Sequence, residues 1–260
     1  MSDVAMPLPQ DTGDDYFDLS AVQAALAKGD AITFPPFEVL HIPQMGLNLC
    51  LNMARDPIQN AWRRGEFFEE EELGTLSDNI KDGAHIIDIG ANVGNHALYF
   101  ATRMNAARVV VAEPNPLALA PLVANVVIND LTDVIDLGAL GVGLSDQSQG
   151  GFGMKRHDKN LGATKMFEGR GALEVHRGDD LFADEAPDLI KIDVEGMEMK
   201  VLSGLEETIS KHRPMILIEV DGENDADFAA WFASHEYDVI NEIRHSRKNC
   251  NYILRPEAYL

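Results

Sequence analysis

Cysteine is scarce in this chain. It has two, Cys50 and Cys250, and neither stands in a CxxC spacing. That leaves no zinc or iron–sulfur pattern and no disulfide framework, so a reducing cytoplasm is the expected setting. Long apolar runs are missing too. None reaches the ~18–20 residues that a membrane helix needs. The N-terminus, Met-Ser-Asp-Val-Ala, lacks the basic and apolar regions of a signal peptide. Positive charge is also in short supply, with 21 Lys and Arg against 43 Asp and Glu and a net charge of -22. Such a surface repels phosphate backbones and anionic lipid, which argues against nucleic-acid and membrane partners. One modest basic cluster remains, Arg244, His245, Arg247 and Lys248.

What is present is an ordinary globular composition of 260 residues, 45% hydrophobic and 25% charged. A chain of this size buries a core without disulfides. Residues 1–18 read as a loose tail. A short helix is expected over 20–28, capped by Ser20 and ended by Gly29, then one or two strands over 36–52 around Gly46. Residues 57–80 carry a helical period interrupted near Gly65. Residues 1–55 thus form a small extension, and 56–260 the main domain.

From residue 84 short apolar runs alternate with helical stretches. Strands are expected at 85–89, 108–112, 134–142, 188–193 and 215–220. Helices are expected at 93–104, 116–129, 197–211 and 225–235. Two last strands, 237–243 and 251–254, lie so close that at least one must run antiparallel. This rhythm predicts a doubly wound α/β fold with a mostly parallel sheet and helices on both faces. Residues 145–180 break the rhythm and read as an insertion, either a surface loop or a substrate-contacting lid.

The strongest local signal is His85-Ile-Ile-Asp-Ile-Gly-Ala-Asn-Val-Gly-Asn-His, a buried strand, a small-residue turn and a helix start. Gly90 and Gly94 permit close approach, and ligands of such sheets lie beyond the carboxyl ends of the strands. Asp88 falls at the strand end, where it can orient the turn or accept from an amine. At the next strand end stands Glu113, followed by Pro114. A fixed carboxylate there suits two ribose hydroxyls. The dinucleotide fingerprint G-x-G-x-x-G is not met: its positions hold Gly90, Asn92 and Asn95. A pyrophosphate needs bare backbone there, whereas S-adenosylmethionine carries no phosphate. The pattern Asp-x-Gly-x-Asn therefore favours S-adenosylmethionine over NAD, with Asp88, Gly90, Asn92, Gly94, Asn95, Glu113 and Pro114 as its expected contacts.

The turn Asp88-Ile-Gly-Ala-Asn-Val-Gly-Asn, the run Glu113-Pro-Asn-Pro and the stretch Lys191-Ile-Asp-Val-Glu-Gly-Met-Glu together resemble the FkbM-type methyltransferases. Leu202-Ser-Gly-Leu, Pro214-Met-Ile-Leu-Ile-Glu219 and the lead-in Asp56-Pro-Ile…Arg64-Gly-Glu-Phe-Phe-Glu extend the resemblance over roughly residues 55–222. It implies a seven-stranded, Rossmann-like class I methyltransferase fold. It also implies S-adenosyl-L-methionine as donor and O-methylation of a sugar or secondary metabolite, hence a small-molecule or glycan acceptor. The alternatives are an NAD-dependent oxidoreductase and a non-catalytic binding protein of the same fold. A homo-oligomer is left open.

Methyl transfer from a sulfonium needs alignment, and a hydroxyl acceptor also needs a base. Asp193 and Glu195, after the strand at 188–193, and Glu219, ending the next, are the expected catalytic groups. Asp193, taken as substrate-orienting or basic, comes first. Asp193, Glu219 and Asp221 offer hard oxygen ligands, but no histidine is spaced to complete a site, so no metal is expected. His96, His157 and His176 are weaker candidates for contact or base. Asn115 is expected to cap a helix, and Asn125 and Asn129 to be structural.

Overall fold

The computed structural model describes residues 17–155, 160–169, 171–246 and 248–257. His157 and Arg247 lie outside the described residues. The chain opens with α1 (Leu19–Lys28), the antiparallel hairpin β1 (Glu38–Ile42) and β2 (Leu47–Leu51), α2 (Pro57–Arg64) and α3 (Glu70–Asn79). Asp18 caps α1, its carboxylate accepting from Ala21 N, so the expected cap at Ser20 is displaced by two residues. Gly65 ends α2 in a left-handed conformation and splits the 57–80 period into two helices.

There follow β3 (His85–Ile89), α4 (Asn95–Thr102), β4 (Arg108–Glu113), α5 (Pro116–Ile128) and β5 (Ile135–Leu140). The expected strand at 134–142 stops at Leu140. Left-handed Gly141 (φ 81°) turns the chain into β6 (Val142–Ser145), which belongs to a different sheet. The 145–180 segment is built of β7 (Gln149–Met154), β8 (Met166–Glu168), β9 (Leu173–Arg177) and the short α6 (Gly178–Leu181). These strands join β6 in a four-stranded sheet of order β6-β9-β7-β8. The chain closes with β10 (Leu189–Ile192), α7 (Glu198–Gly204), α8 (Glu206–His212), β11 (Met215–Asp221), α9 (Asp225–Ser234), β12 (Tyr237–Ile243) and β13 (Asn249–Pro256).

The central sheet has seven strands in the order β12-β13-β11-β10-β3-β4-β5. It is mixed, not wholly parallel. Pairs among β11, β10, β3, β4 and β5 are parallel, and β13 runs antiparallel to both its neighbours. Because successive strand residues point to opposite faces, each strand feeds two cores, which is why its apolar run is continuous. Ile86, Val109 and Val111 pack with Leu98, Phe100 and Val123 of α4 and α5. Ile87, Ile190 and Ile216 pack with Val201, Ile209 and Phe228 of α7, α8 and α9. The N-terminal extension shares the first core through Leu47, Leu49 and Leu51. Asn125 stitches it down: its Oδ1 accepts from Cys50 N at 2.6 Å and its Nδ2 donates to Val93 O at 3.0 Å. Asn129 makes a matching pair of bonds with the Asn48 backbone.

Candidate active site

Where β3, β4 and β10 end, their following turns meet. Gly90, with φ 76°, has no room for a side chain, since a Cβ would lie 1.8 Å from Asp193 O. Its N–H and that of Ala91 donate to Ala112 O, and Asp193 N donates to Ile89 O. Glu113 is buried at the end of β4, gripped by two backbone donors: Asn92 N to Oε2 at 2.7 Å and Asn115 N to Oε1 at 2.6 Å. Burial pushes its pKa up to about 7 against the pull of those two N–H groups and of Lys191. Asn115 also accepts from Leu117 N and caps α5, as its position implied.

Two clefts adjoin this junction and share Gly90, Asn92, Gly162, Asp193 and Glu195. The first is lined by the apolar Val142, Leu144, Met154, Leu161 and Met166 and by Glu113 and Pro114. The segment after β7 covers it. Leu161 N donates to Asp56 Oδ2 at 2.9 Å, Asn115 Nδ2 donates to Leu161 O at 3.3 Å, and Lys165 Nζ bonds Asp221 Oδ2 at 2.5 Å. The second cleft, about 420 Å³, is lined by the ionisable Glu69, His96, Lys191, Glu219 and His245 beside the shared residues.

Asp193, Glu195 and Glu219 converge, with carboxylate oxygens within 4.8 Å of one another. Glu195 holds a left-handed φ of 52°. Burial, then the Asp193 charge, pushes Glu195 up to about 7 and Glu219 up to about 9. Burial raises Asp193 as well, with Lys191 opposing. Three acids here cannot all ionise cheaply, so the cluster holds protons and can both donate to and accept from hydroxyls. The same three side chains could ligate a hard cation. Asp221, weighed earlier for that set, is instead engaged by Lys165.

Three of the residues expected at the cofactor do not line the first cleft. Asp88 lines neither cleft and is fully buried against Lys191, its cross-strand neighbour, with Nζ 3.1 Å from Oδ1. Lys191 in turn donates to Gly90 O at 2.7 Å, so the pair braces the glycine turn from behind. Gly94 lines neither cleft either. It precedes α4 with φ 97°, and a Cβ there would press on Leu122 of α5 at 2.8 Å. Asn95 borders the second cleft, but its amide is spent on the protein: Oδ1 accepts from Trp62 Nε1 and Phe68 N, and Nδ2 donates to Phe68 O. Glu195 does not pair with Lys191. His96 is buried, its Nε2 3.1 Å from Glu69 Oε2. Burial would raise Glu69, but His96 and Asn251 hold it below the usual range. His176 sits on β9 beside Glu174 and lines neither cleft.

Sequence reasoning missed Lys191 as a brace, Glu69, and which residues of the 145–180 segment line the first cleft, although that segment was read as a surface loop or a substrate-contacting lid. A lysine inside the apolar run 189–192, in register with Asp88, was the available signal for the first. Nothing local marked the others.

The profile of the family described as methyltransferase FkbM domain matches residues 88–254. The chain is 26% identical over 165 residues to methyltransferase sdnD of Sordaria araneosa, across 50% of this chain and 63% of that protein. It thus spans less than two thirds of that relative. It is 25% identical over 169 residues to the hexuronic acid methyltransferase AglP of Haloferax volcanii, across 63% of this chain and 67% of that protein. Among solved structures it is similar to methyltransferase FkbM from Methylobacillus flagellatus KT. There the identity is 24%, the TM-score 0.48, and the match covers 67% of this chain and 44% of that one.

Proposed function

This chain belongs to the FkbM methyltransferase family, and we propose that it uses S-adenosylmethionine to methylate a hydroxyl of a sugar or secondary metabolite. The observation that carries this reading is Glu113. It is a buried carboxylate locked by two backbone N–H groups beside an apolar slot, next to a cleft walled by acids. Each Glu113 oxygen keeps a lone pair for a ribose hydroxyl, and Val142, Leu144 and Met166 offer an apolar seat for a base. Asn92 adds a buried Oδ1 with no partner among the described residues, fit to accept from an amino group.

When bound there, S-adenosylmethionine supplies a methyl already activated by the sulfonium charge. The protein's part is then alignment, water exclusion and proton management. The segment carrying Leu161 and Gly162 covers the first cleft. Asp193, Glu195 and Glu219 hold the acceptor hydroxyls in the second. Their crowded charge favours a neutral polyol over a carboxylate-bearing acceptor.

Titration calorimetry with S-adenosylhomocysteine, and NAD as control, tests the cofactor. Micromolar binding of the first and none of the second is expected. Binding of NAD alone would sink the reading. A screen of neutral monosaccharides with labelled methyl donor then tests the acceptor class.

A further inference from the structure

We propose that His245, positioned by Glu72, is the general base that takes the proton of the acceptor hydroxyl. This rests on the methyl-transfer reading above and deepens it. His245 follows β12 and lines the second cleft together with Asp193, Glu195 and Glu219. Its side chain is 42% exposed, whereas that of Glu72 is 0% exposed. Nε2 of His245 bonds Glu72 Oε1. Nδ1 meets no hydrogen-bond partner among the described residues. A carboxylate that accepts a hydrogen bond from Nε2–H fixes the tautomer and leaves the Nδ1 lone pair open to accept a proton.

Glu72 is itself held. Asn251 Nδ2 of β13 donates to Glu72 Oε1 at 2.9 Å and to Glu69 Oε1 at 3.1 Å, and Glu69 meets His96 of α4. A polar chain thus runs His96–Glu69–Asn251–Glu72–His245 between α4, α3, β13 and the loop after β12. Burying two glutamates is unfavourable unless they are paired. A chain that ends on a half-exposed imidazole at the acceptor cleft gives them a use. The charged groups around His245 are Glu69, Glu71 and Glu72 at the start of α3 and, on the lining of the same cleft, Lys191, Asp193, Glu195 and Glu219. Burial alone would depress the imidazole pKa, but Glu72 first, then Glu69 and Glu71, hold it above its ordinary value.

In the reaction the acceptor O–H bond breaks as its oxygen bonds the methyl carbon. The carbon–sulfur bond breaks with its electron pair staying on sulfur. The proton passes to Nδ1, and the imidazolium is met by Glu72. Glu195 is the rival base, because it titrates at about 7 in the same cleft.

The test is a histidine-selective NMR titration of the full chain with S-adenosylhomocysteine, followed by kinetics with the acceptor found in the screen. His245 should titrate above its ordinary value of about 6.5 with the neutral ring protonated on Nε2, and Glu72→Gln should lower that value. His245→Gln, which keeps an N–H donor for Glu72, should leave S-adenosylhomocysteine affinity unchanged. It should lower kcat about a hundredfold and flatten the rise of rate with pH. A neutral ring protonated on Nδ1 overturns the role. So does an unaltered profile in His245→Gln with collapse in Glu195→Gln. Mn²⁺ binding by calorimetry that is lost in His245→Gln and kept in Glu219→Gln also overturns it, because Glu69, Glu72 and His245 would then be ligands. Failure of wild-type protein to bind S-adenosylhomocysteine removes the methyl-transfer reading and this role with it. Binding together with a wrong tautomer removes the role alone.

Discussion

Glu113 shows how much a residue's surroundings add to its identity. A glutamate after an apolar strand was legible as a hydroxyl acceptor, but its grip by Asn92 N and Asn115 N came only from the fold. Removing it by Glu113→Ala should weaken S-adenosylhomocysteine binding by about 1–3 kcal/mol, read by calorimetry, because ribose hydroxyls lose a charged acceptor. The same site predicts a pH dependence. Ribose donors favour the ionised carboxylate, while the free protein holds a proton up to about pH 7. Affinity should therefore fall as pH drops through about 7, and Glu113→Gln should abolish that dependence. Asp88 and Asn95 teach the reverse lesson. Both sit in the motif, yet Lys191 claims one, and Trp62 with Phe68 claims the other. Nothing in the motif says that a partner arrives from β10 or from the α2–α3 connection.

At the level of elements, the helices and parallel strands were readable because each carries its own period and breaks. The 145–180 segment was not. Its strands are short, β7 carries three glycines and β8 is mostly exposed, so they show little alternation. Pairing with β6 and β9 makes the sheet, and that pairing is long-range. Leu161, buried over the first cleft, is the element's anchor. Leu161→Ala should speed S-adenosylhomocysteine release about tenfold, equivalent to about 1.4 kcal/mol, measured by stopped flow. An unchanged rate would mean that the segment does not close the cleft. Asn125 anchors the N-terminal hairpin in the same way. Asn125→Ala strands the buried Cys50 N and Val93 O and should lower stability by about 2–4 kcal/mol in denaturant melts.

For the whole molecule, a group of acids with raised pKa values gathers where β4, β10 and β11 end. Glu113 and Glu195 titrate at about 7 and Glu219 at about 9, all raised from 4.5. Between the unfolded and folded values the native state binds more protons than the unfolded chain, so stability falls as pH rises. Ligand-free protein should melt a few degrees lower at about pH 8.5 than at about pH 6, and bound S-adenosylhomocysteine should narrow the gap. A rising Tm over that window would show that these acids are ionised in the native state. No helix among the described residues is long and apolar enough to cross a membrane.

By itself the sequence determined the alternation of strands and helices outside the 145–180 segment and the position of the glycine turn, because these follow from local periodicity, small residues and apolar runs; the seven-stranded sheet was implied by the family resemblance. The sequence also placed Glu113, Asp193, Glu195 and Glu219 at strand ends. Only the tertiary structure decided which polar groups remain available and which are consumed. It set Lys191 on Asp88, joined Glu72 to His245 across 173 residues, and laid Leu161 over the cleft. Those pairings depend on burial and long-range contact, and a linear pattern of residue types carries neither.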